Sequence, residues 1–123
     1  MRPFLMVFVA LTLVGFSPTS MYADHHEVTV TGELVDHACY TKRDGAGSGH
    51  AACAKDCAMK GMPVALVTES GDVYMLGGAV TDDNNASIAP HMAHIVEVTG
   101  EVAEAGGVKT ISTASIKHVS VAD

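Results

Sequence analysis

The stretch Val28-Thr29-Val30-Thr31-Gly32-Glu33-Leu34-Val35 alternates apolar and polar residues and is interrupted by one glycine. Alternation with a period of two marks a half-buried strand, and a glycine inside it marks a bulge or a bend. The same design returns near the other end of the chain, in His94-Ile95-Val96-Glu97-Val98-Thr99-Gly100-Glu101-Val102. Between them, 63–68 (P-V-A-L-V-T) and 73–76 (V-Y-M-L) read as a hairpin closed over Glu69-Ser70-Gly71-Asp72. Thr81 to Asn85 is a polar turn that starts a short helical piece through Ile88, ended by Pro90. After Ala105-Gly106-Gly107, a last strand region runs from Val108 to Val121.

Five strands with a helical piece between the third and fourth predict a mainly β fold, a small five-stranded closed barrel of the OB type. Gly32 and Gly100 supply the sharp bends by which one strand serves two sides of such a barrel. The departure from a plain barrel is an insert, residues 41–61, between the first and second strands.

That insert carries the chemistry. Gly49 to Gly61 reads G-H-A-A-C-A-K-D-C-A-M-K-G and holds His50, Cys53 and Cys57; Cys39 stands upstream in D-H-A-C-Y. Alanine favours helix, and Ser48 offers a capping oxygen. Gly61 suits the left-handed position past a helix end, and Pro63 blocks continuation. Positions i, i+3 and i+7 share one helical face, so His50, Cys53 and Cys57 point together, with Ala54 and Ala58 beside them for close packing. Lys55, Asp56 and Met59 point elsewhere. Residues 41–49, T-K-R-D-G-A-G-S-G, read as a flexible connector that lets Cys39 reach this face.

Thiolate and imidazole are ligands for Zn²⁺ and Cu⁺, and Cys39, His50, Cys53 and Cys57 make a four-membered set. Asp36 or His37 could orient that set or replace one member. The motif lacks the Cys-x-x-Cys-His run of covalent haem attachment. Two other readings use the same residues. One is a disulfide from Cys39 to Cys53 or Cys57 that pins the insert to the barrel of an interaction module. Cys53 to Cys57 suits a bridge least, because i,i+4 Cβ atoms lie about 5–6 Å apart and a disulfide wants about 3.5–4.5 Å. The other is thiol redox chemistry, which needs a thiolate stabilised by Lys55 or Lys60. The odd number of cysteines favours metal.

Residues 1–23 read as a signal peptide. Arg2 is their only charge, Phe4 to Phe16 is apolar, and Ala23 precedes a cleavage point before Asp24. Export to an oxidising periplasm, or secretion, is expected. The remaining 100 residues, 24–123, suffice for one domain and keep 14 Asp+Glu against six Lys+Arg. That acidic balance argues against nucleic acid and anionic membranes as partners, and the absence of Trp leaves little to stack on bases or sugars. A metal ion and another periplasmic protein are the expected partners. No Ser/His/Asp arrangement, phosphate loop or carboxylate pair stands out, so the sequence does not read as an enzyme.

The combination G-E-L-V-D-x-x-C-Y, G-x-x-H-x-x-C-A-x-x-C-x-x-x-G-x-P and G-D-V-Y-M-L resembles a group of small exported bacterial OB-like proteins. The resemblance implies the fold and export and marks Cys39, His50, Cys53 and Cys57; it implies no activity. Two smaller readings complete the sequence. A cut after Ala23 would expose Asp24-His25-His26, whose amine, two amides and His26 imidazole form a square-planar set for Cu²⁺ or Ni²⁺. His91, His94 and His118 read as surface or satisfied residues rather than ligands.

Overall fold

In the computed structural model, which describes residues 26–123, the alternating stretch 28–35 lies within β1, His26–Asp36. A helix pair follows: α1, His37–Arg43, and α2, Ala51–Met59. Then come β2, Val64–Val67, β3, Val73–Gly77, β4, His94–Ala105, and β5, Val108–Val121. The strands close into a barrel in the order β1-β2-β3-β5-β4, with β1 pairing to both β2 and β4. All pairings are antiparallel except β3 with β5. This is the small OB-like barrel that the strand pattern predicts.

Two glycines in the long strands face backbone too closely for a side chain, Gly32 beside the point where β1 passes from β4 to β2 and Gly100 in β4. A Cβ on Gly32 would lie 2.5 Å from the Val67 carbonyl oxygen, and one on Gly100 2.2 Å from that of Ser112. Gly100 also sits where the β4–β5 register slips by one residue. Each position needs a residue without a side chain, because the facing backbone occupies its place.

The core is apolar and continuous from the barrel into the insert. Leu34, Leu66, Val96, Val98 and Ile111 fill the barrel, while Ile88, Ala89 and Met92 pack with Ala54 and Ala58 of α2. The two alanines are the small residues by which α2 lies close to the barrel end, as the helical spacing predicts.

Residues 78–93, between β3 and β4, depart from expectation. They contain a 3₁₀ turn, Ala79–Thr81, a kinked turn, Asp82–Asn85, and a second 3₁₀ turn, Ala89–His91. Pro90 lies inside that last turn instead of ending a helix, since proline fits the first positions of a helical turn, whose N–H groups need no partner. Asp83, Asn84 and Asn85 are all left-handed, a conformation that asparagine and aspartate tolerate best. Asn85 is buried and donates its side-chain amide to Ala58 O at 2.8 Å and Met62 O at 3.1 Å. This segment therefore holds the C-terminal end of α2 in place.

Candidate metal centre

The site begins at the end of β1. Asp36, 1% exposed, is the N-cap of α1, and its Oδ2 accepts the Cys39 N–H at 2.8 Å. The Pro63 carbonyl accepts the His37 N–H at 3.1 Å and ties the start of α1 to the entry of β2. Residues 41–43 are thus helix, where the glycine-rich connector was expected to begin at 41. Aspartate at the cap and the absence of a breaker before Asp44 are the local cause. The remainder of the connector has a defined course. Asp44 ends α1 in a left-handed conformation, and Gly45 is buried against Cys39, where a Cβ would lie 3.0 Å from the Cys39 Cβ. The Glu33 carboxylate accepts the Gly47 N–H.

The entry to α2 also differs from expectation. Ser48–His50 form a 3₁₀ turn, with no side-chain cap from Ser48. His50 is the N-cap residue of α2 rather than a member of its first turn. The exit follows the sequence reading closely. Gly61 takes φ +80°, its N–H donates to Ala58 O, and the Met62 N–H donates to Cys57 O. These two bonds form a Schellman motif, which satisfies the last carbonyls of α2.

Helix α1 contributes Cys39, and α2 contributes Cys53 and Cys57. The three sulfurs lie within 4.8 Å of one another, and all three are free thiols. Cys39 and Cys57 are half-buried and Cys53 is exposed, so the cluster stands at the surface with one open side. The His50 imidazole is not part of this group. The physical reason is local: a 3₁₀ turn winds about 120° per residue, so the i, i+3, i+7 register does not extend back from α2 to His50. His37 begins α1 and is half-buried. Met59 and Met62, on either side of the Lys60-Gly61 exit, are exposed. Asp24 and His25 of the N-terminal copper set, and the signal-peptide segment, lie outside the described residues; His26 opens β1 opposite Val102.

Two of the three thiols, Cys39 and Cys57, are shifted toward the protonated form. Hydrogen bonding to the Asp36 carboxylate, with burial and that carboxylate's charge adding, pushes Cys39 up to about 11. Burial, followed by the charge of Asp36, also raises Cys57. A thiolate nucleophile requires the opposite shift. The second Asp36 oxygen, Oδ1, is buried with no hydrogen-bond partner. A buried polar oxygen without a partner is costly on its own, and a nearby cation would satisfy it. Three convergent sulfurs beside an unpartnered carboxylate oxygen fit a cation in both respects.

The raised Cys39 has a direct test. In metal-free protein, alkylation of Cys39 should climb about tenfold per pH unit and level off only near pH 11. Asp36→Asn keeps a capping side chain and removes the charge, so the curve should level off at lower pH and the neutral-pH rate should rise. An unchanged curve would show that the carboxylate is not the cause.

A second cluster was not anticipated. His91, from the 3₁₀ turn after Pro90, meets His94 at the start of β4 and His118 near the end of β5. Their ring centroids are 6.1, 6.2 and 4.9 Å apart. Burial, with His118 and His91 adding, pushes the His94 imidazole below the ordinary histidine range. Only the H-x-x-H spacing of His91 and His94 hinted at this group in the sequence; His118 joins through strand pairing.

Comparison with known proteins found no matching family model, no similar curated protein and no similar solved structure.

Proposed function

We propose that this is an exported metal-binding protein whose Cys39, Cys53 and Cys57 hold Zn²⁺ or Cu⁺, for metal handling or structural stabilisation in the periplasm. The observation that carries the reading is the convergence of three sulfurs from two helices within 4.8 Å. Thiolates bound at about 2.3 Å to one tetrahedral ion stand about 3.8 Å apart, so only a small contraction separates the thiol cluster from a bound one. Three thiolates satisfy trigonal Cu⁺. For Zn²⁺ the fourth position falls to Asp36, His37 or water. The open side of the cluster suits transfer of the ion to or from another periplasmic protein. The raised Cys39 and Cys57 weigh against a redox thiol.

A disulfide is the second reading, favoured by the same proximity and by an oxidising compartment. Elemental analysis of protein purified from the periplasm, paired with free-thiol counting after metal removal, separates the two. At least one equivalent of metal and three recoverable thiols is the expected result. One thiol and no metal would replace the metal centre by a bridge.

A further inference from the structure

His91, His94 and His118 are 27 residues apart at the extremes, yet the fold collects them from three separate places. The β4–β5 register is the device. Ile95 pairs with Ser120 but Val96 with His118, so Val119 is skipped and β5 bulges beside His118. Bulges of this kind re-aim side chains and concentrate at functional sites. The third ring arrives because Ala93 is held on both sides. Its left-handed backbone turns the chain from the 3₁₀ turn into β4, its N–H donates to Leu34 O at 2.8 Å, and its carbonyl accepts from Ala122 N–H at 3.1 Å.

Among the described residues only the three sulfurs converge as ligand atoms, so an ion here needs the imidazoles to turn their nitrogens toward one another, and the spacing of the rings leaves room for one. For the observed spacings, one point lies about 3.4 Å from all three centroids; an imidazole that binds Zn²⁺ at about 2.0–2.1 Å has its centroid roughly 3.2 Å from the ion. His94 makes interplanar angles of 69° with His91 and 75° with His118, and His91 and His118 are tilted by 39°. His94 Nδ1 is buried without a hydrogen-bond partner, although a buried ring nitrogen ordinarily finds one. A ligand bond would satisfy it.

We infer that His91, His94 and His118 form a second metal site, an all-imidazole set with an open coordination position for a borderline divalent ion such as Zn²⁺. Imidazole suits Zn²⁺ and Cu²⁺ and is poorly matched to Ca²⁺ or Mg²⁺. Its ligand set differs from the sulfur cluster, so the protein offers one soft and one borderline site. The 3₁₀ turn that carries His91 packs on α2, the helix of Cys53 and Cys57, which places the two sites on adjoining elements.

The test is a Zn²⁺ titration of the purified chain, with histidine ring protons followed by NMR and thiol occupancy by alkylation protection. Zinc is the useful probe because the amine-amide set at an Asp24 terminus requires Cu²⁺ or Ni²⁺. The expected result is a step, distinct from thiol protection, in which the signals of His91, His94 and His118 move together. His118 is exposed, so His118→Ala should melt like the parent when metal-free, yet weaken that step at least tenfold. His26→Ala should leave it unchanged. Ring signals unmoved at zinc saturation, or a step of equal affinity in both His118→Ala and His91→Ala, would overturn the site. If the thiols take no zinc, the ring signals still report on the histidines, so failure of the sulfur site and failure of this one are distinguishable.

Discussion

Cys57→Ser should abolish the metal that protects the thiols from alkylation, with the apparent affinity of that site falling at least about a hundredfold, because a neutral hydroxyl is a poor ligand for Zn²⁺ or Cu⁺. The change is nearly isosteric at a half-buried helical position, so the metal-free variant should stay within about 1 kcal/mol of the parent. The stabilisation that metal confers should vanish with it. At a free metal concentration of one hundred times the dissociation constant, that is about 2.7 kcal/mol. The affinity should also depend steeply on pH. Cys39 and Cys57 are both raised above the ordinary thiol value, so both are protonated near neutrality, and each must release its proton on binding. The sign follows: protons compete more as pH falls, and the two protons of Cys39 and Cys57 alone cost about a hundredfold in apparent affinity per unit decrease. Competition against a chromophoric chelator at three pH values would measure both effects. Undiminished metal in Cys57→Ser would remove the sulfur cluster as the binding site.

Gly100→Ala should destabilise the barrel more than the same change at any other described glycine. Its Cβ would lie 2.2 Å from Ser112 O, 2.8 Å from Ser112 C and 3.0 Å from Thr113 Cα. All three are backbone atoms, so no side chain can rotate away. Relief requires β5 to move off β4 along the longest pairing in the barrel. Overpacking against a rigid neighbour costs about 1–3 kcal/mol and sometimes more; with backbone on the facing side, the upper end or beyond is expected. A domain of this size has about 5–15 kcal/mol in all, and each kcal/mol shifts its melting temperature by about 4–8 °C. The variant should therefore melt roughly 12 °C or more below the parent, measured by circular dichroism. Gly49→Ala is the control, since nothing lies within 4 Å of its added carbon and its φ is not positive. It should stay within about 0.5 kcal/mol of the parent. Equal melting of Gly100→Ala and Gly49→Ala would mean that the close approach at Gly100 relaxes freely.

The division between local and tertiary information runs through particular residues. The five strands were legible because alternation and turn chemistry are properties of neighbouring residues. Val28 to Val35, the hairpin around Gly71 and the last strand from Val108 to Val121 all fold where their pattern places them. The C-terminal end of α2 was legible for the same reason, since a Schellman motif needs only Gly61 in its left-handed position. Gly32 and Gly100 could be singled out as bends, while the carbonyls that forbid a side chain there come from Val67 and Ser112 on other strands.

The candidate sites were decided mainly by tertiary structure. The sequence brings Cys53 and Cys57 onto one helix face by their i,i+4 spacing. Cys39 joins them only because Asp36 ends β1, caps α1 and places that short helix beside α2. His50 drops from the gathered set because the chain enters α2 through a 3₁₀ turn, a choice that its Ser-Gly-His sequence does not announce. The histidine cluster lay furthest from view. His118 meets His94 through a register slip that skips Val119, and strand register is set by the closure of the whole barrel rather than by the residues around the slip. Helix and strand periodicity depend on neighbouring residues and can be read along the chain; the meeting of distant side chains depends on register and helix packing, which arise only when the barrel is complete.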